Sequence, residues 1–308
     1  MASEMFYIGM DLGGTTFKAL AVTPDGGILG RVQEETHVEG GPQMVVQRMV
    51  EAIRQLQKEV SSAPGALAAV GFGVPGILDL SAGIVRRSPN LPGWKNFDLR
   101  AALGQHLDLP IAIENDANAA VVGEAWLGAG RGMQHVLMLT LGTGVGGGVV
   151  VDGTILHGTR GYGGELGHTV VDPNGPPCHC GSCGCLEQYA SGTAIARLAE
   201  PYYGKTTARA VATAARRGEA QALEVFHQVG RYMGIACASF ANLFNPECLV
   251  MGGGAAKALD LFIDAMQTTM QQRTFAEVYD CLRIVPAECG TDAGGLGAAY
   301  QAMRCTPV

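Results

Sequence analysis

Apolar positions near the start of this chain come in short unbroken runs, and then the spacing changes. Phe6–Leu12 is one run; its Asp11 is followed by Gly13-Gly14-Thr15-Thr16 and a second run, Phe17–Val22. A Pro24-Asp25-Gly26-Gly27 turn leads into Ile28–Gln33. Apolar runs punctuated by Gly and Thr predict a strand–turn–strand meander, not a strand-to-helix turn. Over residues 42–60, Val45, Met49, Ile53, Leu56 and Val60 recur every three or four positions. That spacing predicts a helix with one buried face, and Pro42 suits its first turn.

Ala68–Val74 reads as a strand closed by Pro75-Gly76, and residues 88–94 read as a loop. Asn90 and Trp94 of that loop could touch a small polar ligand, although a loop Asn is commonly a turn former. Ile111–Glu114 is a short strand, then comes Asn115-Asp116-Ala117-Asn118, then a helix over Ala119–Leu127. Asp116 therefore falls just past a strand's C-terminal end, where open α/β sheets bind ligands. The competing role is a helix N-cap, open to Asn115, Asp116 or Asn118. A second strand–Gly turn–strand plan occupies His135–Leu141, Gly142–Gly148 and Val149–Val151. Two such hairpins suggest a duplicated α/β unit with a ligand between the copies. Helices are expected over 191–198, 207–216 and 226–244, and again over 255–272 and 298–304; strands are expected at 249–252 and 282–287. Gly253 and Gly254, at the start of one of those helices, could flank a nucleotide.

Composition narrows the classes. With 47% hydrophobic and 16% charged residues, the chain can build a large core. A net charge of −7 and no run of Lys or Arg argue against nucleic acid as a partner. No apolar run reaches the roughly 18 residues needed to span a bilayer, and the N-terminus lacks the pattern of a signal peptide. A cytoplasmic protein without a membrane partner is expected. The cysteines number nine, an odd count, and four of them crowd into residues 178–185, which reads as a metal site and not as a disulfide framework.

That cluster is the most specific stretch. Cys178, Cys180, Cys183 and Cys185 crowd together, His168 lies upstream, and Glu165 and Glu187 bracket them. Thiolates and imidazole at this density suit tetrahedral Zn²⁺; a disulfide-stapled loop is the alternative. At the first hairpin, N–H groups of Gly13, Gly14 and Thr15 could face a phosphate, with Asp11 facing a divalent cation beside it. The Gly-Lys-Ser/Thr of a P-loop is missing there.

Four motifs, Asp11-Leu-Gly-Gly-Thr15, Glu114-Asn-Asp116-Ala-Asn118, Leu141-Gly-Thr-Gly-Val-Gly-Gly-Gly148 and Gly164-Glu-Leu-Gly-His168 with Cys178-x-Cys180-Gly-x-x-Gly-Cys185-x-Glu187, resemble the ROK family of sugar kinases and sugar-responsive repressors. The resemblance runs nearly end to end and is strongest to the glucokinase branch. It implies an α/β, actin-like (ribonuclease-H-like) two-lobe ATPase fold with a structural zinc loop, and with ATP and sugar between the lobes. The expected lobes are 1–117 plus 296–308, and 118–295. Carried over by motif, Asp116 is the general base, and His168, Cys178, Cys180 and Cys185 hold zinc, leaving His179 and Cys183 spare. Asn90, Asn115, Asp116, Glu165, His168 and Glu187 match sugar contacts. Asp11 would help hold Mg²⁺, while the hairpins Gly13-Gly14-Thr15 and Gly142-Thr143-Gly144 would serve ATP phosphates. The implied reaction is transfer of the ATP γ-phosphoryl group to the 6-hydroxyl of a hexose, glucose first, with N-acetylmannosamine, N-acetylglucosamine or fructose as alternatives. A homodimer or homotetramer is expected. The repressor branch is disfavoured, since only ten residues precede Asp11, too few for a helix-turn-helix domain.

Overall fold

In the computed structural model, which describes residues 5–61 and 65–306, the apolar runs become strands. β1 (Met5–Leu12), β2 (Thr16–Val22) and β3 (Ile28–Glu35) form the expected meander, and α1 (Gly41–Glu59) follows. Val45, Met49, Ile53 and Leu56 of its stripe are all buried. β4 (Ala66–Val74) comes next, then a small antiparallel sheet of β5 (Ile77–Asp79), β6 (Ile84–Arg87) and β7 (Phe97–Asp98). α2 (Leu99–Gly104), β8 (Ile111–Asn115) and α3 (Asp116–Leu127) complete this part. The main sheet has the order β3-β2-β1-β4-β8, antiparallel through β1 and parallel beyond it. Successive residues of β1 face opposite sides, as a period of two requires. Phe6, Ile8 and Met10 join the core under α1, and Tyr7 joins the core on the other face.

The second half repeats the plan. β9 (Val136–Leu141), β10 (Val145–Val151) and β11 (Thr154–Ile155) open it. α4 (Glu187–Ala190), α5 (Gly192–Tyr203), α6 (Ala208–Arg216) and α7 (Ala220–Phe244) lead to β12 (Cys248–Gly252), α8 (Leu259–Gln271), α9 (Ala276–Cys281) and β13 (Arg283–Pro286). The sheet order β11-β10-β9-β12-β13 matches the first sheet position for position. Its core packs Leu137, Leu139 and Leu249 against Phe226, Met233 and Phe262. The expected turn at 142–148 is shorter than expected: β10 starts at Val145, and Gly146, Gly147 and Gly148 pair with Thr140, Leu139 and Met138. Leu166 packs where a side chain on Gly147 would stand, so the strand is glycine-rich for packing and not for turning. The helix expected from Ala255 begins with a 3-10 turn, Ala255–Ala258, before α8.

α10 (Ala293–Cys305) starts earlier than the expected Ala298. Glycine's low helix propensity hid its first turn, and close packing overrides that propensity. A Cβ on Gly297 would lie 1.7 Å from the Ala119 oxygen of α3, and one on Gly9 of β1 would lie 1.9 Å from the Gly295 oxygen. Among the described residues, one compact unit takes the chain up to Gly132, the segment Ile155–Gly164 and the chain from Glu288; the other takes Met133–Thr154 and Glu165–Ala287. The expected junctions at 117/118 and 295/296 differ from these because α3 and the start of α10 pack on each other. Glu124 of α3 reinforces the join: its buried carboxylate accepts the N–H groups of Ala129, Glu288 and Cys289.

Candidate active site

In the first unit, Asn115 takes the cap at the start of α3. Its Oδ1 accepts the N–H groups of Ala117 and Asn118 at 2.9 and 3.1 Å, and its Nδ2 donates to the Gly76 oxygen at 3.2 Å. Asn115 is therefore the N-cap, and Asp116 is the first helical residue, three positions earlier than the expected helix start. One amide hydrogen of Asn115 is left for a ligand. The helix N-terminus favours negative charge at Asp116.

Asp11 is the penultimate residue of β1. Burial, and next the charge of Asp116, push the Asp11 carboxyl up to about 7 against the pull of Lys18. Gly294 of α10 closes over it: a Cβ there would meet the Asp11 carboxyl carbon at 2.6 Å. Lys18 in turn grips the start of α10, donating to the Thr291 oxygen, Thr291 Oγ1 and Asp292 Oδ1 at 3.1, 2.7 and 3.0 Å. A divalent cation beside Asp11 would offset the repulsion that the Asp116 charge adds there.

The β1–β2 turn is closed by a bond from the Gly13 N–H to the Thr16 oxygen, so Gly13 has no N–H left for a phosphate. The β9–β10 turn does the same with the Gly142 N–H on the Gly144 oxygen. Thr15 and Thr143 are exposed at the two turns. Asn90 is exposed and its backbone lies against Gly14, where a Cβ would meet the Asn90 oxygen at 2.7 Å. Trp94 does not reach a ligand. It is 1% exposed and packs on Phe97 with ring centroids 5.1 Å apart, since its large apolar ring gains more from the core than from the loop surface.

In the second unit, the sequence cluster folds into a compact donor set. His168 ends a short 3-10 turn, Leu166–His168, that Glu165 opens from an exposed position. His168 Nδ1 lies 3.5 Å from Cys178 Sγ, and Cys180 Sγ lies 3.7 Å from Cys185 Sγ. All four donor atoms fall within 4.8 Å of one another. Tetrahedral zinc, with Zn–S of about 2.3 Å and Zn–N of about 2.0–2.1 Å, sets ligand edges of about 3.8 Å for S–S and about 3.5 Å for S–N. The set fits that ion and leaves no open position on it. Burial pushes the Cys185 thiol up to about 12, so a bound cation is what would favour its thiolate. Cys183 points away, onto the Pro173 oxygen at 3.3 Å. His179 is outside the fourfold set and pairs with Glu187 Oε1 at 3.1 Å.

Glu187 joins this cluster to the β9–β10 turn. Its Oε2 accepts the Val145 N–H at 3.0 Å and stands 2.3 Å from where a Cβ of Gly144 would be. Gly144 is thus required by a carboxylate packed against it. Gly253, at φ +88°, rides over Leu141 at the end of β9, and Gly254 and Gly142 have open space beside them. The loop has a second anchor: Asp172 Oδ2 accepts the hydroxyl of Tyr189 at 3.0 Å and that of Tyr232 at 3.4 Å, with the two rings stacked. Sequence reasoning passed over Asp172, Lys18 and Glu124, because their partners lie far along the chain.

The ROK family model matches residues 7–304. This chain belongs to the ROK family. It is 41% identical to the glucokinase of Thermotoga maritima over 95% of each chain. The ROK hexokinase of Thermus thermophilus superposes with a TM-score of 0.86 at 36% identity, covering 97% of this chain and 98% of that one. A ROK family glucokinase from Streptomyces griseus, solved in complex with glucose and AMPPNP, gives a TM-score of 0.79 at 33% identity, covering 97% and 99%. The actin-like α/β fold expected from the motifs is that of these ROK structures.

Proposed function

We propose that this ROK protein is an ATP-dependent hexokinase that transfers the γ-phosphoryl group to the 6-hydroxyl of glucose. The observation that supports its chemistry is the start of α3, where Asn115 takes the capping role and Asp116, which would act as general base, is the first helical residue, near enough to Asp11 for their charges to interact. Asp116 would accept the proton of the attacking hydroxyl as the phosphoryl group departs from ATP, a contribution of about 10²–10⁴-fold. Asn90, Asn115, Glu165, His168 and Glu187 would read the sugar hydroxyls, carboxylates accepting and amides doing both. Thr15, Gly14, Thr143, Gly144, Gly253 and Gly254 would line the phosphates and nucleotide, with Gly13 and Gly142 shaping their turns. Asp11 would hold Mg²⁺, which when bound neutralises charge on the phosphate oxygens. His168, Cys178, Cys180 and Cys185 would hold a structural Zn²⁺. With Nδ1 turned toward Cys178, His168 keeps Nε2 for a sugar hydroxyl.

A coupled ADP-release assay with Mg-ATP over a panel of hexoses and N-acetylhexosamines tests this reading. Glucose should rank first, and Asp116→Asn should lower kcat at least about 100-fold while calorimetry still detects glucose binding. Silence across the panel refutes the kinase; wild-type turnover in Asp116→Asn refutes the base.

A further inference from the structure

Glu114 is the penultimate residue of β8, two residues before Asp116, and is 3% exposed. Four groups converge on its carboxylate. Oε1 accepts the Asn115 N–H at 2.9 Å and Asn118 Nδ2 at 3.1 Å; Oε2 accepts Gln301 Nε2 at 3.3 Å and lies 2.7 Å from His157 Nε2. An ionised carboxylate only accepts, so Nε2 carries the hydrogen of that contact. The bond to Glu114 also raises the His157 pKa, which burial opposes. The four partners come from separate places: Asn115 and Asn118 flank Asp116 on the first turn of α3, Gln301 lies on α10, and His157 lies on the Ile155–Gly164 segment that runs directly into Glu165.

We propose that Glu114 is a positioning residue for phosphoryl transfer, fixing the first turn of α3 and with it the direction of the Asp116 carboxylate. The assignment rests on Asp116 being the base. The chemistry at position 114 is selective. All four partners donate, so both oxygens must accept. Glutamine has the same shape but turns an NH₂ toward one pair of donors, which pushes either the α3 turn or the His157 segment away. A base displaced by about 1 Å loses about 10²-fold in rate while the substrate still binds.

The test compares E114Q, H157Q, H157L and D116N in the full chain, reading kcat, glucose KM and melting temperature. E114Q should lower kcat about 10- to 100-fold with glucose KM within about threefold and the protein still folded at assay temperature. H157Q keeps a donor to Oε2 and should stay within about threefold of wild type, and H157L should lose about tenfold in kcat. Wild-type kcat in E114Q overturns the proposal, as does a KM that rises in step with falling kcat and melting temperature. If E114Q unfolds, equal kcat in H157Q and H157L overturns it. Full turnover in D116N removes the base reading instead, so the two failures are distinct.

Discussion

Alanine at Gly297 should loosen the first unit without touching any proposed ligand contact. The new Cβ would lie 1.7 Å from the Ala119 oxygen, 2.6 Å from its carbonyl carbon and 2.9 Å from the Gly123 nitrogen. Carbon makes comfortable contact at about 3.5 Å, so α3 and α10 must part by well over 1 Å. Every atom met is backbone, so no rotamer change relieves the clash. The helices are not free to part, because Gly9 and Gly71 seat α10 equally closely on β1 and β4. Overpacking of this kind costs about 3 kcal/mol, and the better helix propensity of alanine returns about 1. A net loss of about 2 kcal/mol lowers the melting temperature by about 4–8 °C for a chain of this size. Gly104→Ala is the control. It ends α2 with nothing within 4 Å of its Cβ, so alanine there should stabilise by about 0.4–1 kcal/mol. Scanning calorimetry of both variants decides the matter: a Gly297→Ala protein that melts at or above wild type refutes the reasoning.

Asp11 gives a pH signature. Its folded carboxyl titrates near 7, against 3.8 as the ordinary value, so the folded state holds the proton longer. Stability is therefore lost as pH rises from about 4 to about 7, and the cost is complete above that. Asp11→Asn should melt higher than metal-free wild type at pH 8, with the gain gone by pH 4 and bounded at about 4 kcal/mol; melting curves that coincide at every pH contradict this. Cys180→Ala should lose bound zinc, measured by elemental mass spectrometry, and raise glucose KM at least about tenfold. It should stay folded, because Tyr189 and Tyr232 hold Asp172 from outside the metal set; full zinc content with an unchanged KM goes against the presenting role of the loop.

The sequence carried what local patterns encode. The α1 stripe, both glycine hairpins and the donor spacing from His168 to Cys185 were legible because each repeats or clusters within a short stretch. The start of α3 was half legible: the local pattern allowed a cap at three neighbouring positions, and only the N–H groups that Asn115 accepts assign it. Trp94 and the start of α10 were misread for one reason. Local sequence allowed Trp94, which does lie in a loop, to face a ligand and hid the first turn of α10, while tertiary packing gave the ring a core and the glycines a helix face. Glu114 was visible as the end of a strand, but its partners His157 and Gln301 lie 43 and 187 residues away, which no local pattern reports.

The discontinuous first unit has a consequence for how the chain is made. β1 and β4 leave the ribosome long before the helix that covers Gly9 and Gly71. The second unit, by contrast, is drawn almost wholly from one continuous stretch between them. During synthesis the order of completion is inverted: the earlier segment waits with one apolar sheet face bare while the later segment finishes around its own core. That bare face, with Tyr7, Leu20 and Ala69 upon it, is the surface a nascent-chain chaperone would meet.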